Sequence, residues 1–199
     1  MIRTCAADGG DAASCSMVTA SDRGTPLRLP SFETASIRRH TARGGTIDAV
    51  PDTPIEAITK LVYTYAERID LGDFAGVGEL FDHATLTFEG FGDAVRGQEA
   101  IEALYGRTTR RFEDGTPRTK HVMTNLIVDV DDEERTASSR SYFTVLQAVP
   151  GELALQPVIA GRYRHRYERA AEEWRVTAMH IMIDLMGDLS SHMLFDLQP

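Results

Sequence analysis

A chain of 199 residues fits one domain with an extra tail, since single domains cluster near ~100–200 residues. Hydrophobic residues make up 42%, enough for an ordinary core, yet no apolar run approaches the roughly 18 residues of a membrane-spanning helix. The formal charge of -9 argues against nucleic acid as the main partner, because phosphate binding needs a basic face.

Residues 1–50 read as a flexible N-terminal arm. The first half is rich in Ala, Gly, Ser and Asp and cannot bury enough apolar surface to stay folded. Cys5 and Cys15 match no metal or redox spacing, and CAADGGDAASCS is not a secretory signal, so a cytoplasmic location is the default expectation.

The folded unit starts at VPDTPIEAI. Asp52 or Thr53 can cap a helix that opens on Pro54, and Glu56, three residues after Thr53, completes a capping-box pattern. Ile55, Ile58, Val62, Tyr65, Ala66 and Ile69 then recur at helical spacing. LGD interrupts the helix, and Asp73 is placed to cap a second, short one through Leu80 and Phe81. ATLTFEGF reads as a strand, followed by a turn containing Gly92 and Asp93. A third helix begins near Gln98 and runs to Phe112, with Ile101, Leu104 and Tyr105 facing inward.

After EDGTP the period changes to two. TKHVMTNLIVDV, TASSRSYFTVLQAV, ALQPVIAGRYRHRYER and EEWRVTAMHIMIDL are long strands joined by turns short enough for hairpins. On RYRHRY, Tyr163, His165 and Tyr167 share one face while Arg162, Arg164 and Arg166 share the other, the ordinary look of a solvated stripe. Helices first and an antiparallel meander later predict an α+β fold. It is a cone-shaped roll with three N-terminal helices packed on a curved antiparallel sheet.

That order of elements, carried by YAERIDLGDFAGVGELF, RGQEAIEAL, RTKHVMTNLIVDV, AGRYRHRYER and EEWRV, resembles the SnoaL-like branch of the nuclear transport factor 2-like superfamily. The resemblance spans about residues 54–183. It places a SnoaL-like cone domain over 51–187 and leaves 188–199 as a C-terminal tail. Members similar to this pattern include polyketide cyclases, bile acid 7-alpha-dehydratase, scytalone dehydratase and ketosteroid isomerases. The β subunits of ring-hydroxylating dioxygenases, which are structural, also resemble it.

In the dehydratase-like members a tyrosine and an aspartate on the first helix, with a histidine opening the first long strand, line the cone. Tyr65, Asp70 and His121 match those positions. The resemblance thus implies His121 as general base or acid, oriented by Asp70, with Tyr65 donating to a substrate oxygen. Asn125, four residues after His121, should share its side of the strand and orient substrate. Tyr163 and His165 are further candidates for substrate binding if their face points inward. The bland readings stand beside these. Asp70 sits at the margin of the apolar stripe and could be solvated, and Tyr63 is a rival to Tyr65. His165 replaces an aspartate usual in the branch, and His180 shares a face with Trp174 and Val176, which favours packing.

No HxH or HExxH grouping occurs among the six histidines, and neither GFGD nor GDFAGVG is a phosphate loop. Ser190, Ser191 and His192 do not form a triad, and their tail reads as a cover. The expectation is a cofactor-independent lyase (a dehydratase) or cyclase of secondary metabolism, acting on a hydrophobic polycyclic or polyketide-like molecule. The alternatives are a ketosteroid-type isomerase and a non-catalytic binding or structural subunit. Neither nucleic acid nor membrane is expected as partner; a homodimer or higher homo-oligomer is.

Overall fold

A computed structural model of the protein describes residues 51–195. The expected arm over 1–50 lies outside the described residues, as does the end of the tail beyond Phe195.

The first helix, α1 (Pro54–Asp70), begins as its sequence dictates. Thr53 Oγ1 accepts from the Glu56 amide at 3.3 Å, and Glu56 Oε2 accepts from the Thr53 amide at 2.9 Å. Its inward stripe is Ile58, Val62, Tyr65, Ala66, Ile69 and Asp70, all buried. Burying an aliphatic or aromatic side chain contributes roughly 1.5–3 kcal/mol each, so this face anchors the helix far more than its cap does. Gly72, at φ +71°, turns the chain away, and a Cβ there would lie 2.2 Å from the Gly115 carbonyl oxygen. Asp73 Oδ1 then accepts from the Gly76 amide and starts α2 (Phe74–Leu80).

Two short strands follow, β1 (Thr85–Phe88) and β2 (Phe91–Arg96), then α3 (Gln98–Thr108) and the meander β3 (Thr119–Asp131), β4 (Thr136–Val149), β5 (Leu153–Ala170) and β6 (Glu173–Met186). Strand β2 replaces the turn expected at Gly92 and Asp93. Gly92, Asp93 and Ala94 are exposed, so no alternating apolar pattern announces a strand there, and pairing with β1 makes it one. Helix α3 stops at Thr108, one turn short of expectation, because Thr109 is extended and bridges to Met193.

The six strands form one curved open sheet in the order β2-β1-β6-β5-β4-β3. Its pairs are antiparallel except β1 with β6, which run parallel, so the sheet is mixed where an antiparallel one was expected. The long return from β2 through α3 and the meander brings β6 alongside β1 in the same direction, a consequence of topology that no local signal carries. Strand β3 is a sheet edge.

The helices cover one face of the sheet, and the core sits between them. It includes Ile58, Val77, Phe81, Leu86, Ile101 and Met179, all fully buried. Tyr163, His165 and Tyr167 of β5 face this interior, while Arg164 and Arg166 are exposed and Arg162 pairs with Asp184. Irregularities in the ladder redirect two side chains. On β3 the pairing slips between Thr124 and Ile127, with Asn125 at φ +52°. On β6 the slip beside Arg166 and Tyr167 puts His180 on the opposite face from Val176. His180 therefore does not pack with Val176 as its spacing suggested; its Nδ1 lies 2.8 Å from Thr87 Oγ1.

Candidate functional site

Between α1, α3 and the covered face of the sheet lies a cavity of about 320 Å3. That is the lower end of the ~300–1,000 Å3 usual for small-molecule sites. Phe143, Val145, Ile159, Ile181 and Ile183 give it apolar walls. The polar groups that interrupt this surface come from α1, β2, α3 and the Thr109 that follows it, β3, β5 and the C-terminal segment.

His121 opens β3 with its side chain turned to the cavity and only 6% exposed. Asp70, on the last turn of α1, holds it from behind. Asp70 Oδ1 lies 2.7 Å from His121 Nδ1, its Oδ2 accepts from the His121 amide at 2.8 Å, and Thr119 Oγ1 donates to Oδ1 at 2.7 Å. Burial alone would raise this carboxyl. The side-chain and charge interactions with His121, its amide and the Thr119 hydroxyl outweigh burial and hold Asp70 below the ordinary carboxylate range. With the carboxylate accepting at Nδ1, the imidazole proton resides there and Nε2 keeps its lone pair. Asp70 is absent from the wall of this cavity; it is a buried carboxylate that holds the His121 ring and also borders a shallower pocket with Lys60, Tyr63 and Lys120.

Tyr65 lines the cavity squarely. Its ring packs edge-on against Phe81, Tyr163 and His121, with centroids 5.4, 5.8 and 6.3 Å away. Its hydroxyl meets that of Tyr105, from α3, at 3.0 Å. The expected partner was a substrate oxygen, and within the chain the structure supplies Tyr105. Two hydroxyls sharing one hydrogen bond consume one of their two protons, so the pair always keeps one to donate. Burial raises both phenols well above their usual range, which keeps that proton in place. Tyr63, the rival, is 48% exposed on the outer side of α1.

Tyr163 also lines the cavity and stacks on Phe143 at 4.1 Å between centroids. His165 points inward as its strand parity allows but lies behind Tyr163, outside the cavity wall and next to Tyr167. Its Nδ1 is buried without a partner, and burial pushes the imidazole down to about 4. Asn125 is exposed and outside the wall. The bulge around it resets the alternation, so Met123, Leu126 and Val128 pack on the core and Asn125 does not follow His121 inward.

Wall residues that carried no such assignment from sequence include Tyr105 and His192. Tyr105 read as a core position, and its burial agrees, but its hydroxyl completes the tyrosine pair. His192 read as part of a cover, and it lines the cavity. Among the described residues no group of three or more His, Cys, Asp or Glu gathers to hold a metal ion, and no helix is long and apolar enough to cross a membrane.

Residues 53–180 match the SnoaL-like domain. No curated protein sequence matches the chain significantly. Similar solved structures include a nuclear transport factor 2-like protein with a cystatin-like fold from Novosphingobium aromaticivorans, 22% identical over 69% of this chain and 85% of that one, with a TM-score of 0.54. ActVI-ORFA from Streptomyces coelicolor is 15% identical over 64% and 95%, with a TM-score of 0.53. A candidate scytalone dehydratase from Novosphingobium aromaticivorans is 17% identical over 67% and 86%, also at 0.53. At these identities the likeness is one of fold. The domain match over most of the described chain and the helix-covered curved sheet agree: the protein belongs to the SnoaL-like family, on the nuclear transport factor 2-like cone.

Proposed function

We propose that the protein is a cofactor-independent lyase or cyclase that moves a proton next to a carbonyl of a hydrophobic, ring-containing small molecule. One observation carries this reading. An imidazole, held at Nδ1 by a buried carboxylate, faces an apolar cavity beside a tyrosine pair with a proton to donate. In an elimination, Nε2 of His121 takes the proton from the carbon next to the carbonyl. The enolate oxygen that develops is stabilised by the Tyr65–Tyr105 pair. The C–O bond to the β-hydroxyl then breaks, and the imidazolium gives its proton to the departing oxygen, so water leaves and His121 ends neutral. Cyclisation by aldol addition uses the same proton removal with a second carbonyl as electrophile. Asp70 keeps the tautomer fixed throughout.

The resemblance to dehydratases and cyclases, and the scytalone dehydratase name of one structural neighbour, support the substrate class. The apolar walls support it independently. A ketosteroid-type isomerase needs the same groups and differs only in lacking a leaving group. Assembly as a homodimer or higher oligomer belongs to this proposal, as does a role in secondary metabolism. The test is comparative metabolite profiling with and without the gene product, followed by turnover of the accumulating compound. His121→Ala should lower kcat by about 10²–10⁴-fold, the usual contribution of general acid–base catalysis. Unchanged turnover removes the base assignment and leaves a binding role.

A further inference from the structure

The segment after β6 crosses the end of α3 and is tied down on both sides. The His192 carbonyl accepts from the Arg110 amide at 2.8 Å, and the Leu194 amide donates to the Thr108 carbonyl at 2.9 Å. Gln147 Nε2 donates to the Ser191 carbonyl at 3.1 Å, and the His192 amide bonds Leu189 in a tight turn. A strap held at so many points presents its side chains in fixed directions. His192, Met193 and Phe195 of this strap line the cavity, and among them the titratable one is His192, which is 9% exposed.

Its surroundings differ from those of His121. Among the described residues no carboxylate bonds it, and its Nδ1 is shut off from solvent without a hydrogen-bond partner. With Nδ1 sealed away from the cavity as well, Nε2 is the ring nitrogen that a ligand in the cavity can reach. Burial and the nearby His121 charge hold the imidazole down at about 4, against a smaller opposing influence from Asp70, so it stays neutral at ordinary pH. Two imidazoles in one cavity whose environments divide them suggest two different tasks.

We propose that His192 is a substrate-binding residue that hydrogen-bonds a second oxygen of the ligand, distinct from the one held at the Tyr65–Tyr105 pair. The inference rests on the functional reading above and narrows it to ring compounds bearing at least two oxygens. It also makes the C-terminal strap part of the binding site.

The experiment uses the full chain and two probes, 2,7-dihydroxynaphthalene and naphthalene, with dissociation constants measured for wild type, His192→Ala and His192→Gln. Gln places an amide near the position of Nε2. Expected for His192→Ala is about a tenfold loss of affinity for the diol, the scale of one buried hydrogen bond. Naphthalene affinity should stay within about twofold, and His192→Gln should recover most of the diol affinity. The His192 ring nitrogens should shift in 15N spectra when the diol binds wild type. Equal losses for both probes would mean a packing role only, and unchanged diol affinity would mean no contact; either overturns the assignment while the cavity reading stands. Failure of both probes to bind wild type overturns the cavity reading and this assignment together.

Discussion

His121 Nδ1 and Asp70 Oδ1 lie 2.7 Å apart, joining the end of α1 to the start of β3 through two side chains that are each less than a tenth exposed. The same carboxylate also accepts from the His121 backbone, so ring and strand are positioned by one group.

Replacing that carboxylate separates its roles. In Asp70→Asn the amide can turn its NH2 toward Nδ1, which would move the ring proton to Nε2. The expected outcome is a mixed or inverted His121 tautomer in 15N spectra, where wild type shows Nδ1–H alone. Turnover of the eventual substrate should fall by about 10–100-fold or more, the usual effect of losing a partner that orients a histidine.

The tyrosine pair lends itself to a double-mutant cycle. Tyr65→Phe strands the Tyr105 hydroxyl in the core, at a cost of about 1–3 kcal/mol. Removing both hydroxyls in Tyr65→Phe/Tyr105→Phe should be less costly than the sum of the single changes. Denaturant midpoints of the four proteins measure this, and strict additivity would show that the two hydroxyls do not share a bond.

Acid should weaken the fold well above the usual carboxylate range. His165 and His192 titrate near 4 when folded and near 6.5 when unfolded, because burial disfavours their charged forms. Above pH 6.5 neither state binds the proton, so they contribute no pH dependence. Between 6.5 and 4 the unfolded chain takes up protons that the folded one refuses, and stability falls by on the order of 3 kcal/mol for each histidine. Below that, Asp70 adds its own loss, since its folded carboxyl is held low. In His165→Phe the slope of unfolding free energy between pH 4 and 6.5 should drop by about half.

Asn125→Gly should bind the naphthalene diol as wild type does and be neutral or slightly stabilising, since glycine adopts positive φ without strain. A loss of affinity there would place Asn125 at the ligand. Gly72→Ala should behave in the opposite way. Its Cβ meets the Gly115 backbone and φ is +71°, so a drop in melting temperature of several degrees is expected, with the Asp70–His121 contact loosened.

What the sequence revealed of the site tracks how local each signal is. The capping box, the apolar stripe and Tyr65 are written in α1 alone, and the inward parity of Tyr163 and His165 in β5 alone. Asp70 was ambiguous by helical position because its burial comes from Thr119 and His121 across the fold. Asn125 followed a strict alternation that a bulge cancels, and a bulge leaves little trace beyond an Asn tolerant of positive φ. His192 was invisible as a wall residue. Its direction comes from pairing with Thr108 and Arg110 far back in the chain, and only the flanking apolar Leu189 and Met193 hint that the segment docks.

Because β3 ends the sheet among the described residues, its outward amides have no neighbouring strand there to bond, and such rows invite another chain to add itself. The His121 amide is spared by Asp70 Oδ2, so the carboxylate that steers the imidazole also seals one rung of an otherwise open ladder. Loss of the aspartate would therefore open that rung to another chain and release the ring on which the proposed proton transfer depends.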